Sequence, residues 1–200
     1  LEVVFRCAGA YSESLSIQQA MDETTLVAIG LNGHVLPRAH GFPARILSVG
    51  TYGMKNPKWL ESIEVVDRPY QGFWERRGWS KTAVVNTMSR IDTPKSGAQI
   101  GGPVQVGGIA FAGSRGISKV EVSLDRGVTW QPADLRSALS PYTWRLWRFP
   151  FTGRPAGTTL VLVRAYDGTG AVQTYVPRPP HPSGATGYDA ISIVGATGGS

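Results

Sequence analysis

Two hundred residues, 42% of them apolar, suffice for one large domain or two small cores, which excludes a wholly disordered chain. The formal charge of +6, from 20 Lys+Arg against 14 Asp+Glu, favours small anionic partners. No Lys/Arg run, basic helix or zinc-finger spacing accompanies it, so a nucleic-acid partner is not expected. One cysteine, Cys7, excludes an internal disulfide, and no run approaches the roughly 18 apolar residues of a membrane helix.

The chain starts at Leu1 inside a strand-like run, residues 1–5, shows no signal-peptide pattern and reads as an internal fragment. Ser16 to Met21 is a short helix candidate with Ser14 or Ser16 as N-cap. Residues 25–29, 44–49 and 59–66 read as strands, and Asn32-Gly33 as a turn. Residues 70–77 form a short amphipathic segment, Phe73 and Trp74 beside Arg76 and Arg77. Mixed short helices and strands make this part, residues 1–90, α+β.

Residues 91–97 carry linker signals, with Pro94 biasing Thr93 to an extended backbone and Ser96-Gly97 adding a turn. Residues 91–200 then predict an all-β sandwich. Strand runs at 103–112, 117–124, 144–149, 158–165 and 171–175 alternate with turns about every ten residues. Strict alternation over Ser118–Leu124 predicts one buried face, and Asp125-Arg126-Gly127 a reversal. Alternation along Trp144–Arg148 puts Trp144, Leu146 and Arg148 on one face and Arg145 and Trp147 on the other. The Trp–Arg neighbours here and around Trp74 are read as packing and interface surface, with cation–π stacking available.

The chemistry-bearing residues lie in two runs. The first is His40-Gly41-Phe42-Pro43-Ala44-Arg45, and the second is Tyr52-Gly53-Met54-Lys55-Asn56-Pro57-Lys58-Trp59-Leu60. Arg supplies a planar fork and Lys a mobile point charge, the donor types that phosphate groups attract. Glycine and proline turns hold such donors in place. On the residues alone two readings stand: an anion cradle, or a strand-capping histidine with solvated cations.

Residues 26–60 resemble the molybdopterin-binding domain of the sulfite oxidase superfamily. Asn32-Gly33, Leu36-Pro37-Arg38, the His40–Arg45 run, Val49-Gly50, Gly53 and Lys58-Trp59-Leu60 carry the likeness. The resemblance implies that residues 1–90 are the C-terminal portion of that domain, with His40, Arg45 and Lys58 contacting the pterin and its phosphate. Lys55 is a further candidate in the same loop. The runs Val120–Trp130 and Trp144-Arg145-Leu146-Trp147 resemble the family's dimerisation domain, which implies an immunoglobulin-like sandwich over 91–200 and a homodimer through it.

The resemblance also implies a molybdenum cofactor and two-electron, oxygen-atom-transfer chemistry on a small oxyanion or oxo/sulfoxide-type substrate. The family's metal-binding cysteine lies upstream of the histidine motif. Cys7 matches a later strand, so it is read as a buried strand cysteine and no metal ligand is assigned. Trp79 stands where sulfite oxidases have a tyrosine near the substrate, and an indole offers only an N–H. Ser183 stands where they have a sulfate-binding arginine, and His181 and Ser183 are candidates for the active-site mouth. The alternatives are a non-catalytic dimerisation module and an anion-binding remnant. An extracytoplasmic or membrane-associated location is expected from the resemblance alone, and the electron acceptor is left open.

Overall fold

A computed structural model describes residues 1–153, 155 and 157–195. They form two units: Leu1–Val85 with Pro180–Gly184, and Asn86–Pro179 with the chain from Ala185 onward. Among the described residues no helix is long and apolar enough to cross a membrane.

In the first unit β1 (Glu2–Cys7) is the central strand of a three-stranded antiparallel sheet, between β2 (Ser12–Ser16) and a distant partner. A one-turn helix, α1 (Ile17–Ala20), follows β2. Ser16 caps it, and Gln19 returns the bond to the Ser16 backbone as a capping box. Next come β3 (Thr25–Ala28), β4 (Gly30–Leu31), β5 (His34–Val35), β6 (Arg45–Ser48) and β7 (Leu60–Val66), the last being the other partner of β1. β4 and β5 form a hairpin over Asn32-Gly33, whose φ values of 52° and 79° suit the two-residue turn that this pair of residues favours. β3 pairs with β6, setting Val27 opposite Ile46.

Val3, Phe5, Leu15 and Ile46 make the apolar core of this unit, with Ile17, Ala20 and Leu60 packed against it. Ile46 is fully buried, which contributes about 1.5–3 kcal/mol. The α+β character expected here is not confirmed. The only α-helix among the described residues is the four residues of α1, and the other helical segments are single 3₁₀ turns.

The second unit is a two-sheet sandwich. Its strands are β8 (Met88–Thr93), β9 (Ala98–Ile100), β10 (Val104–Phe111), β11 (Ile117–Ser123), β12 (Gln131–Pro132), β13 (Asp134–Leu135), β14 (Arg145–Phe151), β15 (Thr158–Asp167) and β16 (Asp189–Gly195). One sheet runs β13-β14-β10-β8 and the other β12-β11-β15-β16-β9. Period-two alternation buries Trp147, Phe149 and Phe151 from the first sheet against Val120, Val122, Val161 and Val163 from the second. The faces expected for Trp147 and for Leu146 with Arg148 are those observed.

Two expectations fail in this unit. Residues 91–93, read as linker, are the end of β8. Residues 171–175, read as a strand, make only a bridge from Val172 to Tyr166. The reason is Gln173, whose buried side chain accepts from the Ala165 N–H and the Ser89 hydroxyl and donates to the Gly187 carbonyl. Those bonds satisfy buried polar groups without a ladder.

Candidate functional site

The site is built on one 3₁₀ turn of the first unit, Arg38–His40, with Pro37 before it. Gly41 ends the turn at φ 115°, a left-handed conformation that glycine adopts at least cost. Its N–H returns to the Arg38 carbonyl. A side chain at Gly41 would stand 3.1 Å from the Cβ atoms of both Arg45 and Lys58. Glycine is thus what lets the stems of the two cations close on the turn.

Three donors converge on the carbonyls of that turn. The Arg45 guanidinium, carried on β6, donates to the His40 carbonyl at 3.1 Å and the Asn56 carbonyl at 3.2 Å. Lys58 Nζ donates to the Ala39 carbonyl at 3.0 Å and lies 4.7 Å from the Trp59 ring centre. The Trp59 indole donates to the Arg38 carbonyl at 2.7 Å. The Asn56 side chain pins the loop, accepting from the Ser48 N–H and donating to Thr51 and the Tyr52 carbonyl. Among the described residues Arg45 Nε, which is buried, has no acceptor. The imidazole of His40 belongs to an exposed residue.

Lys58 and Asn56 also line a cleft of about 470 Å³ with Tyr11, Trp59, Phe73 and Trp74. His40 and Arg45 are not among its lining residues. Trp79 is half-buried and sits edge-on to Trp74, centroids 6.0 Å apart, and to His181, 5.2 Å apart. His181 packs so closely that a side chain at Gly78 would lie 3.1 Å from its Nε2. Ser183, two residues on, is exposed. Arg77 stacks on Phe73, guanidinium carbon 3.6 Å from the ring centre.

Lys55 departs from expectation. It is 2% exposed, and its ammonium donates to Glu13 Oε1 at 2.8 Å, Glu75 Oε1 at 2.6 Å and the Ser14 carbonyl at 2.9 Å. Those three bonds use every N–H that a lysine has, so none is left for a ligand. Lys55 is a buried structural cation, and its offer as a cofactor contact is corrected. Sequence reasoning missed Glu13 and Glu75 altogether. Burial pushes the Glu13 carboxyl up despite Lys55, and Glu13 Oε2 has no partner among the described residues. Cys7 is buried in β1, its thiol pushed up to about 11 by burial with Glu61 adding to it. Among the described residues no three His, Cys, Asp or Glu side chains are grouped to hold a metal.

Comparison with known proteins gives these features a family. The oxidoreductase molybdopterin binding domain matches residues 1–74, and the Mo-co oxidoreductase dimerisation domain matches residues 80–177. Mitochondrial sulfite oxidase of Mus musculus is 33% identical over 164 residues, 70% of this chain and 30% of that protein. An NADH nitrate reductase of Ulva prolifera is 29% identical over 196 residues, 80% of this chain and 23% of that protein. The chain thus spans about a third or less of these relatives' length. Among solved structures, the sulfane dehydrogenase SoxCD from Paracoccus pantotrophus shares the fold, with TM-score 0.76 and 22% identity over 98% of this chain and 58% of that one. Two domain families in tandem, each named for the molybdenum cofactor, place the chain in the sulfite oxidase superfamily of molybdopterin-dependent oxidoreductases.

Proposed function

We propose that this chain is part of a longer sulfite-oxidase-like oxidoreductase, in which residues 1–90 supply the C-terminal portion of an α+β molybdopterin-binding domain and residues 91–200 an immunoglobulin-like dimerisation domain. The observation that carries the proposal is the convergence of Arg45 and Lys58 on the Arg38–His40 turn across Gly41. Those residues fit a phosphorylated pterin. Among the described residues Arg45 has a buried Nε without an acceptor, and both cations donate to neutral carbonyls, which a phosphate oxygen would outcompete. Arg45 and Lys58 would bind the phosphate arm, and His40 would border it from the end of the turn.

The bound cofactor would supply two-electron redox chemistry with oxygen-atom transfer to or from a small substrate. Trp79, braced by Trp74 and His181, would present an indole N–H to that substrate. Ser183 in place of an arginine leaves less positive charge for a dianion, so a small oxo or sulfoxide-type compound suits the pocket better than sulfite. The metal-ligating cysteine would come from outside this chain, since Cys7 is buried in a strand and its thiol is held protonated.

The test is Arg45→Ala in the longer protein, with pterin measured by the fluorescence of its oxidised form and folding by circular dichroism. The loss of charge-assisted bonds worth about 1.5–3 kcal/mol predicts an order of magnitude or more less retained pterin in an unchanged fold. Full pterin occupancy in the variant removes Arg45 from the cradle. A wild-type protein without pterin leaves the dimerisation module as the function.

A further inference from the structure

We propose that Trp59 is a positioning residue of the cofactor cradle: its left-handed backbone turns Lys58 away from the inward face of β7, and its indole holds both the Lys58 ammonium and the Arg38–His40 turn. The inference rests on reading Arg45 and Lys58 as phosphate ligands and adds which residue aims Lys58.

The backbone carries the first half of the argument. Leu60 opens β7 and packs against the core of the first unit. In an extended strand residues two apart share a face, so Lys58 would point inward with Leu60. Trp59 stands between them at φ 58°. That breaks the alternation, and the Lys58 ammonium reaches the Ala39 carbonyl at 3.0 Å instead. Backbone bonds fix the bend. The Trp59 N–H donates to the Gly41 carbonyl at 3.3 Å, and its carbonyl accepts from the Ala8 N–H at 3.0 Å. On either side the Ile46 N–H donates to the Pro57 carbonyl and the Leu60 N–H to the Ala44 carbonyl, both at 2.9 Å.

The side chain carries the second half. A bulky residue at positive φ is an outlier, and glycine adopts that conformation at least cost. Such outliers persist where the surroundings over-determine them, and they cluster at functional sites. Core burial does not account for a tryptophan here. Trp59 is 40% exposed and lies outside the apolar cluster of its unit.

The indole is engaged with the cradle. Its N–H donates to the Arg38 carbonyl at 2.7 Å, and with the backbone bond to Gly41 it grips the turn at both ends. Lys58 Nζ lies 4.7 Å from the ring centre, within reach of a cation–π contact. The ammonium is thus held by a carbonyl and a ring face, both neutral, so it is ordered without losing its charge. A lysine stem is otherwise spread over many rotamers, and fixing it beforehand lowers the cost of binding an anion. Trp59 and Lys58 also line the same cleft.

The longer protein, loaded with pterin, tests the assignment. Pterin loss is followed by fluorescence of the oxidised form, and first-unit stability by urea titration with hydrogen exchange of the β1 and β2 amides. Trp59→Leu removes the ring face and the N–H, and is expected to speed pterin loss about tenfold or more. Trp59→Phe keeps a ring face and should fall between Trp59→Leu and wild type. In a Lys58→Met background Trp59→Leu should add less than it does alone, because the ammonium it aims is gone. Val3→Ala, a core truncation that leaves the cradle contacts in place, gives the rate due to lowered stability alone. The inference is overturned if Trp59→Leu loses pterin no faster than wild type, or no faster than Val3→Ala at the same fraction unfolded, or if its effect is undiminished beside Lys58→Met. Each of those results leaves Arg45 and Lys58 as ligands. A wild-type protein that holds no pterin overturns both readings.

Discussion

Replacing Lys55 with methionine should cost the first unit about 3–5 kcal/mol, the penalty for removing one partner from a buried ion group. The figure follows from burial. The Glu13 and Glu75 side chains are 0% and 4% exposed, and among the described residues Lys55 Nζ is the only cation bonded to either. Methionine fills the stem's volume but leaves two carboxylates facing each other out of water. A domain is held by about 5–15 kcal/mol, so this loss is a large fraction of the total.

The sign of the pH dependence follows from Glu13. Burial raises its folded-state value above the ordinary carboxylate, and Lys55 works against that rise. A raised carboxyl contributes stability below its unfolded value and loses it as pH climbs through the folded one. Removing Lys55 raises Glu13 further, so the deficit of the variant should be smallest in acid and grow as pH increases. Urea titrations read by hydrogen exchange of the β1 and β2 amides would measure it free of the second unit. Lys55→Met combined with Glu13→Gln and Glu75→Gln should recover much of the loss, because no bare charge remains. A deficit below about 1 kcal/mol, or one that is flat from acid to neutral pH, would refute the buried-charge account.

Two more outcomes follow from contacts of the same kind. Gly72→Ala puts a Cβ 2.4 Å from Glu13 Oε1, against a carboxylate that Lys55 holds fixed, and should destabilise the first unit by about 1–3 kcal/mol in the same exchange assay; wild-type exchange would show that the group yields freely. For Asp167, burial acts to raise the carboxyl, but bonds from Thr169, Arg115 and the Thr169 and Ala171 N–H groups outweigh it and hold it at about 2. A lowered carboxyl stabilises above its unfolded value and loses that as pH falls toward the folded one. Wild-type urea midpoints for the second unit should therefore fall between about pH 5 and 2 more steeply than those of Asp167→Asn, and parallel curves would sink the assignment.

The convergence of Arg45 and Lys58 on one turn was legible because its logic is local. A glycine at the end of one turn and fixed intervals to an arginine and a lysine carry over to space when the intervening strand is short, as β6 is. Lys55 was misread for the opposite reason. Its chemistry and loop are those of Lys58, but its partners Glu13 and Glu75 lie 42 and 20 positions away. Nothing near Lys55 in the chain announces them. β2 escaped notice as well. Ser12-Glu13-Ser14-Leu15-Ser16 has the composition of a loop, yet Ser12, Glu13 and Ser14 are buried, with bonds to Tyr70, Lys55 and Glu2. A strand whose inward positions are polar defeats hydrophobic periodicity. The sandwich was the easier half, because Val120, Val122, Trp147 and Phe149 alternate without interruption.

The two lysines of one loop illustrate how this first unit divides its work. Lys55 closes the 3₁₀ turn Gly53–Lys55 and ties it to β2 and to the turn Glu75–Arg77. One residue later Asn56 offers its carbonyl to Arg45, and two after that Lys58 reaches the Arg38–His40 turn. The buried ammonium thus sets the course of the backbone from which both cradle cations are held. The turn it grips at Glu75 is followed closely by Trp79, so the same bond positions the aromatic group beside His181. A cation that touches no ligand is then needed for the two that would, and loss of pterin in a Lys55 variant would accompany loss of fold. In an Arg45 variant the two should separate, because Arg45 is only half-buried and binds neutral carbonyls.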